Sequence, residues 1–119
     1  MLDKNIELDY RFWINNADGK NILGAGKIRL LENIDKFNSI SAAAKEMNMS
    51  YRKAWGDIRN IENSLGFEIT SKHRGGKYGG GTSLSDKGKK LVRLFKEIQI
   101  ELDKNIIDAF LKFKDEICD

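Results

Sequence analysis

Between Ser50 and Gly66 the chain puts Arg52, Lys53, Gly56, Arg59, Asn60 and Asn63 on one side of a helical pattern. The other side carries Tyr51, Ala54, Ile58, Ile61 and Leu65. The polar set has the chemistry of base-edge recognition. Arginine bonds the O6/N7 edge of guanine with two donors, asparagine matches the N6/N7 edge of adenine, and lysine reaches guanine or phosphate. A glycine in mid-helix costs roughly 1 kcal/mol relative to alanine. Gly56 therefore has a reason to be there, either close packing against protein or close approach of the helix axis to base edges. Trp55, at the edge of the apolar side, is expected in the core.

A second group follows at Arg74-Gly75-Gly76-Lys77-Tyr78-Gly79-Gly80-Gly81. Glycines bring main-chain amides close to oxyanions. Arg74 and Lys77 add charge, and Tyr78 can stack or bond to a sugar-phosphate. No G-x-x-x-x-G-K-[ST] phosphate loop can be placed here. Gly24-Ala25-Gly26 also fails as a dinucleotide fingerprint, because position 29 is Arg. The expected role is a basic wing that touches the minor groove or the phosphate backbone.

These side chains need elements to hold them. Ile6, Leu8, Tyr10, Phe12 and Ile14 alternate with Glu7, Asp9, Arg11 and Trp13, the period of a half-buried strand. Asn15 to Lys20 carries an Asp-Gly turn signal, and Ile22-Leu23 suit a short return strand. Ile28, Leu31, Ile34 and Phe37 predict a helix from about 25 to 37, ended by Asn38. Ser41 is the expected N-cap of a second, alanine-rich helix that breaks at Asn48-Met49. Ser50 is the expected cap of the third. Two short helices with a tight turn between them form a helix-turn-helix signature. Strands over 67–71 and 82–84 would flank the glycine-rich segment as a hairpin. Ser85-Asp86 then opens a helix of about 30 residues, roughly 45 Å long. Leu91, Phe95, Ile98, Leu102, Ile106, Phe110 and Phe113 recur along it at steps of three and four. That stripe exceeds what so small a domain can cover, and a second copy is its simplest partner.

The expected fold is mainly α with a small β component: a winged helix-turn-helix with an N-terminal hairpin and a long C-terminal dimerisation helix. Residues 1–84 would be the DNA-binding domain and 85–119 the dimerisation helix of the same compact unit. The 119 residues carry a net +3, divided unevenly. Residues 20–90 hold fourteen basic and seven acidic side chains, a net +7, whereas 1–19 and 91–119 are each −2. A basic zone suits a polyanion, because neutralised phosphates release counterions. One His and one Cys cannot build a zinc site or an intrachain disulfide, so neither metal nor cofactor is expected. No apolar run approaches the ~20 residues of a membrane span. The N-terminus lacks a signal-peptide core, and the expected location is cytoplasmic.

Five segments in order carry a family resemblance: Gly26 to Leu31, Ser39 to Ala44, Met49 to Trp55, Gly75 to Gly81, and Leu84-Ser85-x-x-Gly88. Together they resemble the N-terminal DNA-binding domain of the ModE-type molybdate-dependent regulators, across roughly residues 8–110. The Ser39 to Ala44 segment alone is shared with LysR-type regulators. The resemblance implies a winged helix-turn-helix, a long dimerisation helix and palindromic operators near molybdate-transport or molybdoenzyme genes. It makes the helix of Ser50, Tyr51, Arg52 and Lys53 the recognition helix and Arg74, Lys77 and Tyr78 wing residues. The chain ends at Asp119, so a stand-alone member without the usual oxyanion-sensing domain is expected, any such sensor being a separate partner. The competing reading is a winged-helix protein-interaction module. An enzyme is not expected: His73 stands beside the glycine-rich segment, Cys118 is penultimate, and no carboxylate pair stands out.

Overall fold

A computed structural model describes residues 6–73 and 81–118. Helix α1, Ala25–Phe37, is the hub. Leu30, Leu31 and Ile34 are fully buried and Ile28 nearly so. Leu30 lies off the expected stripe, and it is buried because α1 is covered on more than one side. Helix α2 (Ile40–Glu46) packs against it, as do strand β4 (Gly81–Leu84) and helix α4 (Asp86–Ile117). Phe37 stays exposed.

The helix-turn-helix follows from local chemistry. Asn38 ends α1 with φ 53°, a left-handed conformation that asparagine tolerates. Ser39, not Ser41, caps α2, its hydroxyl accepting from the Ala42 amide at 3.0 Å. Ser41 is exposed in the first turn instead. Ala43 and Ala44 are buried, and their small side chains let helix α3 (Tyr51–Leu65) approach. Asn48 turns the chain at φ 54°, and Ser50 caps α3 by accepting from the Lys53 amide at 3.0 Å. Gly66, at φ 81°, closes α3 by donating to the Glu62 carbonyl at 2.8 Å.

The wing begins later than expected. Strand β3 is Thr70–His73, paired antiparallel with β4 from Thr70↔Leu84 to His73↔Gly81. Residues 67–69 are not strand; they form the crossing from α3, where the Ile69 amide donates to Glu62 Oε2 at 2.9 Å. The Thr82 amide donates to the Asn38 carbonyl at 3.0 Å, which ties β4 to the end of α1.

The expected N-terminal strand over 6–14 shrinks to β1, Ile14–Asn15, which pairs with β2, Asn21–Leu23. The period of two survives in burial: Tyr10, Phe12 and Ile14 are half-buried, and Arg11, Trp13 and Asn15 are exposed. Packing against α4 replaces strand pairing here. Phe12 stacks on Phe95 at 4.9 Å between centroids, and the Tyr10 hydroxyl donates to the Asp103 carboxylate.

Ser85 caps α4 by accepting from the Gly88 amide at 3.0 Å, and donates to the Glu68 carbonyl at 2.9 Å. The 32 residues of α4 give the molecule its 65 Å long axis. Phe95 is buried at 2% exposure in this chain's own core, so it is not free for a dimer seam. Leu91 is half-buried against the same core. Further along, Ile98, Ile107, Leu111, Phe113 and Ile117 are exposed, and Leu102, Ile106 and Phe110 are half-buried.

Two measurements test this packing. A Cβ on Gly88 would lie 2.1 Å from the Ile69 carbonyl oxygen, a main-chain atom with no flexible escape. Gly→Ala inside a helix ordinarily stabilises by about 1 kcal/mol. Gly88→Ala should invert that sign and destabilise by about 1–3 kcal/mol, seen in thermal unfolding. Separately, the Asp103 carboxylate pushes the Tyr10 phenol up to about 12, first through the hydrogen bond and then through desolvation and charge. The folded-state value is raised above the unfolded one of about 10. Its stabilisation is therefore complete below pH ~10 and lost as pH climbs through about 12. Tyrosinate absorbance should show one phenol titrating near 12, and Tyr10→Phe should remove that step.

Candidate nucleic-acid interface

Helix α3 is anchored by Ala54, Ile58 and Ile61, all at or below 2% exposure. With that side fixed, residues at steps of four, three and four (Arg52, Gly56, Arg59, Asn63) form one outward stripe. Arg52, Arg59 and Asn63 are exposed. A Cβ on Gly56 would meet nothing within 4 Å. Close packing against protein is thus not the reason for this glycine, and the centre of the stripe is open to an approaching surface. Asn60 is exposed at one edge of the stripe.

Lys53 sits at the same edge, and its ammonium is committed. Nζ lies 3.1 and 3.2 Å from the two carboxylate oxygens of Asp57, one turn on. The Asp57 side chain is only 12% exposed, against 62% for Lys53. A carboxylate beneath the edge of the face therefore holds one of its cations in place. This partner was missed in the sequence, although the i,i+4 spacing is the signal that could have found it.

Two aromatic placements differ from expectation. Tyr51 was assigned to the apolar side, but it is 54% exposed, because the first turn of α3 projects beyond the core that starts at Ala54. Trp55 was expected in the core, yet it is 45% exposed. Its ring lies under the Arg59 guanidinium, 5.3 Å from carbon to centroid. The pair lines a groove of about 480 Å³ between α3 and the wing, with Lys72 and Thr82 on the wing side.

On the wing, Lys72 and His73 are exposed, and His73 Nε2 is 2.6 Å from Ser83 Oγ across the hairpin. Arg74, Lys77 and Tyr78 lie outside the described residues. Among the described residues no group of three His, Cys, Asp or Glu side chains is placed to hold a metal ion. No helix among them is long and apolar enough to cross a membrane.

Three helices with a tight turn before the third, followed by a two-stranded hairpin packed on α1, make this a winged helix-turn-helix. Residues 26–89 match the bacterial regulatory helix-turn-helix proteins of the lysR family, and the chain belongs to that family. Similar proteins include the molybdenum transport protein ModE of Azotobacter vinelandii, 36% identical over 72% of this chain and 32% of its own length. The molybdenum-pterin-binding protein MopB of Rhodobacter capsulatus is 36% identical over 76% of this chain and 33% of its own. The DNA-binding transcriptional dual regulator ModE of Escherichia coli K12 is 35% identical over 58% of this chain and 26% of its own. The chain spans about a third of the length of the first two relatives. The resemblance is to a ModE-type DNA-binding domain.

The Lys53–Asp57 pair yields a prediction. Asp57→Asn keeps a polar side chain but removes the charge that restrains Lys53. It should raise affinity for random-sequence duplex several-fold at low salt and steepen the salt dependence, read by fluorescence anisotropy. Unchanged affinity and slope would show that Lys53 takes no part in phosphate neutralisation.

Proposed function

We propose that this chain is a sequence-specific DNA-binding transcriptional regulator that acts as a cytoplasmic homodimer. The single observation that supports it best is the outward stripe of α3, where Arg52, Arg59 and Asn63 surround a glycine with open space above it. In this reading Arg52 reads a base edge in the major groove, with Tyr51, Lys53 and Asn60 beside it. Ser50 and Ser41 lie next to the backbone, and Arg74, Lys77 and Tyr78 of the wing add affinity for all sequences alike. The genes served are those of molybdate transport or molybdoenzymes, as the names of the similar proteins suggest.

The exposed apolar residues of α4 support the dimer. Ile98, Ile100, Ile107, Leu111, Phe113 and Ile117 are each between 43% and 69% exposed, a larger apolar array than a monomer ordinarily leaves open. Ile98, Phe113 and Ile117 share one stripe with Leu102, Ile106 and Phe110, whereas Ile100, Ile107 and Leu111 lie on another side of the helix. A two-fold dimer would set the two α3 helices about 34–36 Å apart, one turn of DNA, and so would demand a palindromic site.

Selection of bound sites from random duplex, with and without molybdate or tungstate, tests the reading directly. A palindrome is expected. On that site Arg52→Ala should weaken binding about tenfold or more while leaving random-sequence affinity within about twofold. Ile107→Glu and Leu111→Glu should convert the dimer to monomers in sedimentation velocity and lower operator affinity. A monomeric parent chain with no salt-dependent DNA affinity would favour the protein-interaction module instead.

A further inference from the structure

The groove between α3 and the wing has two unlike ends. Glu62 and Glu68 line it where α3 hands over to β3, Glu62 tied to that joint by its carboxylate and Glu68 by its main chain. Glu62 accepts from the Ile69 amide, and the Glu68 carbonyl accepts from the Ser85 hydroxyl. Toward the start of α3 and the far end of β3, the lining is Trp55, Arg59 and Lys72. One end is acidic, with the Glu62 carboxylate engaged by the Ile69 amide; the other is aromatic and cationic.

Trp55 is the residue whose exposure needs a reason. An indole that is 45% exposed on a short helix leaves apolar surface in water. It is not on the outward stripe of Arg52, Gly56, Arg59 and Asn63. It lies on the flank that faces β3, with the Arg59 guanidinium over its ring at 5.3 Å. One ring face therefore orients a cation that no carboxylate is seen to hold among the described ion pairs. The indole N–H is a donor with no acceptor function, suited to an anionic oxygen.

This inference rests on the DNA-binding reading of α3. With α3 in the major groove and the wing reaching across the edge of that groove, one sugar-phosphate strand must pass between them. The lining of the gap meets backbone, not base edges. We infer that Trp55 and Arg59 form an aromatic–cationic clamp for a sugar-phosphate strand of duplex DNA, with Lys72 opposite on β3. Trp55 acts as the platform that positions Arg59, and it packs against a deoxyribose as the phosphate is taken up. The clamp is sequence-independent. It sets the register in which Arg52 meets its base, because phosphate contacts position and base contacts specify.

The chain holds two tryptophans, Trp13 and Trp55, so a Trp13→Phe background makes Trp55 the sole indole reporter. Random-sequence duplex is titrated at low salt, and the selected site in parallel. Trp55 emission should change on binding. Trp55→Ala should lower affinity about three- to tenfold on both duplexes alike, with an unchanged unfolding midpoint. Trp55→Phe should restore part of the loss. Arg59→Ala should lower the salt slope by about one, and adding it to Trp55→Ala should cost less than the product of the two single effects. Arg59→Lys should keep the slope but lose the coupling to Trp55. Unchanged emission with parent-like affinity in Trp55→Ala overturns the clamp while leaving the DNA-binding reading intact. A loss confined to the selected site overturns the backbone assignment in favour of base reading. A Trp13→Phe chain that binds neither duplex overturns the DNA-binding reading and the clamp together.

Discussion

The geometry of this domain depends on the main chain at Ile69. Its side chain is fully buried. Its amide donates to Glu62 near the end of α3, and its carbonyl accepts from the Ser85 amide just before α4. The same carbonyl lies against Gly88, so closely that no side chain fits there. One residue thus fixes the end of α3, the start of the wing and the first turn of α4. Hydrogen bonds to buried main-chain groups are costly to leave unmade, and here both groups of the residue are satisfied by different elements. The angle between α3 and the wing follows from this joint. The second tie, from Thr82 to Asn38, holds the other wing strand to the end of α1. A hairpin so pinned at its base can present its far end to a ligand without a core of its own.

Helix α4 serves two environments along one length. Its first three turns, with Leu91, Val92 and Phe95, belong to the core built on α1. Beyond them it runs out of globule, and its apolar residues become exposed. The N-terminal segment covers part of that stretch, with Phe12 on Phe95 and Tyr10 on Asp103. Farther along, Ile6, Leu8 and Tyr10 line a cavity with Ile106, Ile107, Phe110 and Leu111, of which Ile106 and Phe110 are half-buried and Ile107 and Leu111 exposed. The segment therefore covers part of the apolar surface of α4, and exposed apolar residues remain on more than one side of the helix.

Much of this was legible in the sequence because local chemistry agreed with the global fold. The bounds of α1 and α3, the caps at Ser50 and Ser85, and the stop at Gly66 are short-range signals that the tertiary structure leaves alone. Elsewhere long-range contacts decided. Ser39 and Ser41 are both good caps by type; the left-handed turn at Asn38 selects the earlier one. The alternation over 6–14 holds in burial only from Tyr10 to Ile14, since Ile6 and Leu8 are exposed, and its partner there is a helix, so a strand period appears with little strand. Phe95 fits the surface stripe of α4 by spacing, and its packing in the core built on α1, with Phe12 stacked on it, takes it out of that surface. Trp55 is the sharpest case. Its type argued for burial, whereas Arg59 four residues on gave a reason for exposure that hydrophobicity alone does not express.

The charge distribution acquires a finer meaning from these placements. A net +7 over residues 20–90 reads as simple attraction for a polyanion. Attraction alone would bind every sequence, and a regulator gains nothing from being held everywhere. The structure tempers it from within α3. Asp57, largely buried, restrains Lys53, while Glu62 is drawn into the joint at Ile69 and leaves Arg59 to the face of Trp55. Arg52 has neither a carboxylate nor a ring against it among the described contacts. The cations of α3 are therefore not equivalent. One is held by charge, one is aimed by an aromatic platform, and one stands free beside a glycine. On the proposed reading such a graded set would separate general affinity from discrimination, since the positions that add charge would not be the position left free to choose a base.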